Sequence, residues 1–287
     1  MSRSVRLQAP AKVNLTLEIL GRRPDGDHEL RSVFAAIDLR DHVRVASATR
    51  LDVQVRPDPG AAPGRELASR AVEALARRVG RPAHAHVRIA KRIPVAAGLG
   101  GGSSDAGTTL RALAAIWRAD VDLAAVAAEL GSDVPFFAQT APFALVAGRG
   151  DQVGALPSPP LGLWIVLVRL RVRVATPDVF AALRPDEWSD GASTERLAAA
   201  FRDGTADAAM LRECAWNGLT DAAARVCREI AEVRALAGWK GITLALSGSG
   251  PSLFAVADDR ADALRVARIL HGQGLDARAR ALGSTAD

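Results

Sequence analysis

The sequence predicts an α+β fold of two domains. Each half of the 287-residue chain mixes strand-like and helix-like stretches, without the sustained strand–helix–strand rhythm of a doubly wound sheet. The clearest interruption is the proline-rich segment 156–161, near the middle of the chain. We therefore expect one domain over residues 1–155 and a second over 161–287, with a linker between them.

Composition is typical of a folded enzyme, since 49% of the residues are hydrophobic and 24% are charged. No stretch approaches the roughly 18 apolar residues of a membrane span, and the first residues lack an apolar run of signal length. We therefore expect a cytoplasmic protein with no membrane partner. Cys214 and Cys227 lie in helical patterns, which predicts small buried side chains in a reducing compartment.

Charge argues against a nucleic-acid partner. The net charge is +5, but the arginines are scattered among acids, and the chain has no long basic block and no tyrosine to stack on bases. Only three of the 37 cations are lysine, which hints that Lys12, Lys91 and Lys240 are retained for a compact point charge. We expect a small-molecule substrate and a monomer or homodimer.

Periodicity predicts the elements in order. The first half contains an alternating strand at 13–19, an amphipathic helix at 65–78, a strand at 85–89 and a helix through Leu110, Leu113 and Trp117. The second half contains a strand at 163–168, helices at 194–201 and 219–236, strands at 242–246 and 253–256, and a last helix. Arg169, Arg171 and Arg173 alternate with apolar residues, which predicts a basic strand face, either solvated or turned toward an anionic substrate.

A glycine-rich run between the predicted strand and helix is typical of a phosphate-binding loop. Glycine backbones close around phosphate oxygens, and the positive end of the following helix attracts the anion. The Gly-Lys-Ser/Thr of a Walker loop is absent, and a flexible linker is the alternative. A valine at Gly101 is expected to clash with the phosphates. The predicted nucleotide-binding residues are Pro94, Val95, Ala96, Ala97, Gly98, Leu99, Gly100, Gly101, Gly102, Ser103 and Ser104.

The first strand carries two candidate polar residues. Alternation places Lys12 and Asn14 on one face, opposite Val13 and Leu15, so both side chains point toward one polar space. The alternative is an ordinary solvated face of an N-terminal strand.

Asp133 has two possible roles, as a helix cap or as a base. Gly131 is suited to end one helix and Pro135 to the first turn of the next, so Asp133 is a candidate N-cap. A carboxylate at a helix start beside the apolar Val-Pro-Phe-Phe wall is equally suited to accept a proton from a hydroxyl.

Two turns complete the candidates. The turn at 247–252, with Gly248 and Ser249, lies between predicted strands and is suited either to close over a phosphate or sugar or simply to connect a hairpin. The turn at 21–28 ends in Asp27 and His28 and by itself resembles a surface loop.

In this order, the stretches resemble the GHMP kinase superfamily, and within it the kinases of the non-mevalonate isoprenoid pathway. The resemblance covers essentially the whole chain. The matching motifs are Pro-Ala-Lys-Val-Asn-Leu at 10–15, Asp-Gly-x-His at 25–28, the glycine run at 94–104, Gly-Ser-Asp-Val-Pro-Phe-Phe at 131–137, Thr-Pro-x-Val-Phe at 176–180 and Ser-Gly-Ser-Gly at 247–250.

The resemblance implies an N-terminal domain like domain 2 of ribosomal protein S5, a C-terminal ferredoxin-like domain, and transfer of the ATP γ-phosphoryl group to the 2-hydroxyl of a cytidine diphosphate-linked methylerythritol. It also implies ATP and Mg²⁺ as cofactors, with Asp133 as the base and Lys12 holding the base and the hydroxyl. Phosphoryl transfer needs this combination of positioning, a base and cationic charge. The implied substrate-binding residues are Asn14, Asp27, His28, Thr176, Phe180, Gly248 and Ser249.

One departure concerns the substrate. The family turn normally carries a tyrosine that stacks on the cytosine, where this chain has Asp27. His28 and Phe180 are expected to retain a hydrogen bond and one stacking face. The alternatives are a GHMP kinase for another small alcohol or phosphate, and a catalytically silent nucleotide-binding relative, against which the intact Lys12 and Asp133 argue.

Overall fold

The computed structural model describes residues 4–58, 60 and 66–283. In this part of the chain, the first half forms a six-stranded sheet with the order β3-β4-β2-β5-β6, in which β1 pairs with β2. The strands are β1 (Ser4–Arg22), β2 (His28–Ser47), β3 (Asp52–Arg56), β4 (Ala85–Ala90), β5 (Phe143–Ala147) and β6 (Gln152–Leu156). The longest part of this sheet is the antiparallel pair β1–β2. Three register shifts bend this pair, so that it extends into both halves of the molecule.

Helices cover one side of this sheet through an apolar core. They are α1 (Leu67–Arg78), α2 (Gly101–Trp117), α3 (Leu123–Ala128) and α4 (Val134–Ala138). Leu75, Leu110 and Leu113 pack there against Val45 and Val87 of the sheet. The predicted helix 65–78 is therefore observed from Leu67, and residue 65 lies outside the described part. This packing fixes the N-terminal end of α2, and with it the glycine run.

The second half contains a four-stranded antiparallel sheet of β7 (Trp164–Arg169), β8 (Ala245–Leu246), β9 (Leu253–Ala257) and β10 (Asp276–Ala281), in the order β10-β7-β9-β8. Its helices are α5 (Thr176–Ala182), α6 (Ala192–Arg202), α7 (Ala208–Cys214), α8 (Thr220–Val226), α9 (Arg228–Gly238) and α10 (Arg260–Gly272), with a 3₁₀ turn at Pro185–Glu187. Helices between β7 and β8 and between β9 and β10 produce the βαββαβ arrangement of ferredoxin-like domains.

Three local predictions are wrong, and one strand was missed. The helix expected at 219–236 is two helices, because Cys227 adopts φ −137° and ψ 100° between α8 and α9. The strand expected at 242–246 is reduced to Ala245–Leu246, and the strand Asp276–Ala281 was not predicted, because its alternating Asp-Ala-Arg pattern is only weakly apolar. The basic strand face does not form either, since β7 ends at Arg169, and Arg169 pairs with Asp276.

The two halves share buried side chains. Leu197 and Phe201 of α6 pack in one cluster with Val13 and Val33 of the first sheet and Ile165 of β7. The first sheet uses strands up to Leu156 and the second begins at Trp164, and the domain division at 156–161 remains a prediction. In the described residues, no helix is long and apolar enough to cross a membrane. Cys214 and Cys227 are buried and unbonded to each other.

Candidate functional site

A cleft of about 590 Å³ lies between the glycine run, residues 94–104, and a second glycine turn, residues 247–252. Most of the predicted site residues line it together: Lys12, Asn14, residues 94–103, Asp133, Thr176, Phe180, Gly248 and Ser249. Three predicted residues do not line it, namely Ser104, which is fully buried inside α2, Asp27 on the turn between β1 and β2, and His28 at the start of β2. The cleft also has an apolar end, formed by Val55, Leu67, Ala68, Ile89 and Val95.

The glycine run bends into α2 through two left-handed residues, Gly98 at φ 73° and Gly100 at φ 68°. A Cβ on Gly98 would lie 2.3 Å from the Ser247 carbonyl oxygen, and Ser247 Oγ donates to the Gly98 carbonyl at 3.1 Å. Only glycine allows both the backbone conformation and this approach. The loop is thus held against the second glycine turn and is no free linker.

Gly101 has a packing role that was not predicted. A Cβ at this position would lie 2.9 Å from Ile93 Cγ2 and 3.3 Å from Lys91 Nζ, inside the protein. The expected clash of a valine with phosphates stays a prediction, because the side chain would in any case collide with Ile93. A loss of nucleotide binding in such a variant would not separate the two effects.

The polar face of β1 is buried, so the solvated-face alternative is wrong. Lys12 is only 3% exposed, and Asn14, Thr16 and Glu18 are also buried. Lys12 Nζ donates to Asn14 Oδ1 at 2.6 Å, lies 3.5 Å from Asp133 Oδ2 and sits 4.4 Å above the Phe34 ring. The ammonium therefore has an anion, an amide oxygen and an aromatic face around it, a combination that stabilises a buried cation.

Asp133 precedes α4 but does not cap it. Its side chain makes no capping hydrogen bond, whereas Asp122, at the start of α3, accepts from the backbone N–H groups of Ala124 and Ala125 at 2.9 and 3.3 Å. The Asp133 side chain is instead 30% exposed and lines the cleft beside Lys12. The N-cap interpretation is therefore wrong, and the carboxylate is left available to accept a proton.

Asn14 links Lys12 to the second glycine turn. Its Oδ1 accepts from the Gly248 backbone N–H at 2.9 Å in addition to Lys12, and its Nδ2 donates to Ser32 Oγ at 2.9 Å. Asn217 holds the same turn from the other side by donating to the Leu246 and Gly248 carbonyls. These contacts orient Lys12 and the second glycine turn relative to each other.

At the opposite end of the cleft, aromatic and polar groups from separate elements meet. The rings of His28 and Phe180 lie 5.0 Å apart and tilted by 37°, and Thr176 and Ser249 share a hydrogen bond of 2.8 Å. The pKa of His28 is below its usual value, because burial disfavours the imidazolium and Arg22 repels it. The neutral ring has one donor and one acceptor nitrogen.

A buried charge cluster behind the glycine run was not predicted from sequence. Lys91 Nζ donates to Asp105 Oδ2 at 2.6 Å and also pairs with Asp41, joining β4 to α2 and β2. Burial raises the pKa of Asp105 to about 7, with Asp41 adding to the rise and Lys91 opposing it. The only signal in the sequence was the scarcity of lysine, which singled out Lys91 without its partners.

Asp105→Asn should make unfolding less dependent on pH. Asp105 ionises near its ordinary value of 3.8 in the unfolded chain and at about 7 when folded, so its contribution to stability is present below about pH 4 and is lost as the pH rises to about 7. We expect the unfolding free energy of the variant to rise relative to wild type between pH 5 and pH 8, measured by urea denaturation. Parallel pH curves for the two proteins would contradict this.

Comparisons with known proteins agree with this geometry. The family described as GHMP kinases N terminal domain matches residues 66–140, and GHMP kinases C terminal matches 197–275. The 4-diphosphocytidyl-2-C-methyl-D-erythritol kinase of Shouchella clausii (strain KSM-K16) is 35% identical over 93% of this chain and 89% of its own length. That of Pelotomaculum thermopropionicum is 39% identical over 90% of this chain and 91% of its own length.

A solved structure is similar throughout. The crystal structure of 4-(cytidine 5'-diphospho)-2C-methyl-D-erythritol kinase covers 99% of this chain with all of its own length, at 36% identity and a TM-score of 0.79. Both family segments fall on the parts that build the cleft, since 66–140 contains the glycine run and Asp133, and 197–275 contains the second glycine turn. The α+β fold of two GHMP domains is thereby confirmed, and the chain belongs to the GHMP kinase family.

Proposed function

We propose that this chain uses ATP to phosphorylate the 2-hydroxyl of 4-diphosphocytidyl-2-C-methyl-D-erythritol. The observation that carries the proposal is that Lys12 pairs with Asp133, whose carboxylate does not cap α4, in the same cleft as the glycine run. The names of the relatives at 35% and 39% identity supply the acceptor. The intact pair also argues against a silent nucleotide-binding relative.

The residues divide the reaction between them. The substrate hydroxyl transfers its proton to Asp133 as its oxygen bonds to the γ-phosphorus of ATP, and the bond from that phosphorus to the bridging oxygen of ADP breaks. Lys12, 3.5 Å from Asp133, orients the carboxylate and offsets negative charge that develops on the transferring group. The backbone N–H groups of the glycine run, at the start of α2, hold the phosphates.

The site suits a magnesium ion carried with the nucleotide. Mg²⁺ prefers oxygen ligands, usually one or two carboxylates together with substrate phosphates. Asp105 lines the cleft next to the glycine run, and its Oδ1 is buried with no hydrogen-bond partner among the described residues. We propose that Asp105 holds the ion, which supplies neutralisation of phosphate charge when bound.

The cytidine is proposed to lie between His28, Phe180 and the mouth of the cleft. Phe180 lines the cleft and contacts the His28 ring, so one base face and one base edge have partners. The position of the family tyrosine is taken by Asp27, whose Oδ2 lies 3.8 Å from Arg149 Nη1. The Asp27–Arg149 ion pair therefore lies where we expect a second aromatic ring to stack on the cytosine.

An ATP-consumption assay tests the proposal against its rivals. The acceptors are 4-diphosphocytidyl-2-C-methyl-D-erythritol, mevalonate, homoserine and isopentenyl phosphate, each at the same concentration. We expect turnover with the cytidine compound alone. Turnover only with another acceptor would identify a GHMP kinase of different specificity, the alternative that Asp27 supports. No turnover with any acceptor would identify a catalytically silent relative.

The cytoplasmic location and the monomeric or homodimeric state stay predictions.

Asp27→Tyr should lower KM for the cytidine compound and Phe180→Ala should raise it. A restored aromatic face contributes about 0.5 to 1.5 kcal/mol, or up to roughly tenfold in KM. Steady-state kinetics measure both effects, and Asp27→Ala is the control that removes the pair with Arg149 without adding a ring. Loss of activity in Asp27→Tyr would contradict the cytosine site and point to a different acceptor.

A further inference from the structure

The outer face of the first sheet carries a row of arginines. In the pairing register, Arg6 of β1 lies opposite Arg44 of β2, and Arg44 lies opposite Arg88 of β4. All three side chains are exposed, while their chain neighbours Val43, Val45, Val87 and Ile89 are buried. Three arginines therefore stand side by side on adjacent strands, and neighbouring strands lie about 4.8 Å apart in the hydrogen-bonding direction.

This arrangement is unfavourable without an anion. Like charges directly opposite each other destabilise a strand pair. Among the described residues, Arg6, Arg44 and Arg88 form no ion pair with a carboxylate, and Asp52 of β3 pairs instead with His86, at 3.5 Å. The one side-chain hydrogen bond of the row within this part of the chain runs from Arg88 Nε to His86 Nε2, at 3.1 Å. No described carboxylate therefore pairs with the row to relieve the repulsion.

Neighbouring residues extend the row into a groove of about 780 Å³. Gln54 of β3 lies opposite Arg88, and the next positions along the strands bring His42 and Arg56 to the same face. Every polar side chain that lines the groove is an arginine, a glutamine or a histidine, and no carboxylate lines it. The groove therefore offers charged and neutral hydrogen-bond donors to an anion.

We propose that this groove is a second, non-catalytic site for a small polyphosphate anion. Arginine recognises phosphate oxygens through paired N–H groups, and three arginines in a row match a chain of linked phosphates. The groove has the volume of a small-molecule site. No phenylalanine, tyrosine or tryptophan lines it, so single-stranded nucleic acid would find only the His42 ring to stack on.

The polar side chains of the groove are separate from the catalytic cleft. Ile89 is the one residue that lines both, while Arg6, Arg44 and Arg88 line the groove and not the cleft. Nothing in the phosphoryl transfer uses the arginine row. Variants of the row are therefore expected to leave catalysis unchanged.

The test is calorimetric titration of the full chain with inorganic triphosphate at constant ionic strength. For wild type we expect two classes of site, the cleft and the groove. In the double variant Arg44→Gln with Arg88→Gln, triphosphate should bind the groove at least tenfold more weakly than in wild type. The same variant should keep wild-type kcat and KM in the ATP-consumption assay. The control Arg77→Gln with Arg268→Gln removes the same charge from exposed helix positions and should keep both classes.

Two binding results would overturn the proposal. One is equal triphosphate binding by wild type and the groove variant. The other is arginine-dependent binding of duplex RNA or of vesicles containing anionic lipid, with no binding of triphosphate at the groove. Because the substituted side chains are exposed and repel each other, the Tm of the variant at low salt should not fall below that of wild type. A lower Tm would contradict the premise of unrelieved repulsion.

Discussion

Asp133→Asn should lower kcat by roughly two to four orders of magnitude while leaving Tm nearly unchanged. The amide cannot accept the proton of the substrate hydroxyl, but it keeps the size and shape of the carboxylate. The fold should tolerate the change because the Asp133 side chain makes no cap bond to α4. Steady-state kinetics and thermal unfolding of the same preparation measure the two effects.

Asp122 provides the matched control. It also stands at a helix start, but its carboxylate accepts two backbone hydrogen bonds and lies away from the cleft. Asp122→Ala should lower the unfolding free energy by about 1 kcal/mol and keep kcat, whereas Asp133→Ala should lose kcat. A variant of Asp133 that melts early and turns over normally would reverse the assignment.

Lys12→Met should reduce kcat/KM by roughly a hundredfold or more, the effect of removing one preorganised charge from a phosphoryl-transfer site. Methionine keeps the apolar stem but leaves Asp133 and Asn14 without the ammonium that lies 3.5 and 2.6 Å from them. Lys12→Arg should not restore the rate. A Cβ at Gly100 would lie 3.1 Å from Lys12 Cγ, so the stem is closely packed and a planar guanidinium has little room.

Lys240→Met is the control for Lys12→Met. Lys240 is exposed beyond the end of α9, so the same chemical change there should leave both kcat/KM and Tm unchanged. If Lys12→Met retains the kcat/KM of wild type, Lys12 is only a structural cation beneath the Phe34 ring.

Local patterns predicted most elements but misjudged their context. The strand at 85–89 and the helix containing Leu110 and Leu113 follow from alternation and helical spacing, because their apolar faces pack on one core. The same periodicity missed the break at Cys227, since a single extended residue between two helices leaves the apolar spacing almost intact. It also treated the polar face of β1 as possibly solvated, because alternation reports one apolar face and does not show what covers the other.

The sequence by itself determined the chemistry available to this protein. A glycine-rich loop before a helix, a lysine in a strand and an aspartate at a helix start are local features, and in motifs that resemble those of GHMP kinases they predict phosphate binding with a base and a cation. Only the tertiary structure decided which of these groups meet. The Lys12–Asp133 contact, the burial of Asp105 against Lys91 and the alignment of Arg6, Arg44 and Arg88 all depend on strand register and helix packing between distant segments. Those contacts form through cooperative burial of apolar faces, which a single sequence does not specify pair by pair.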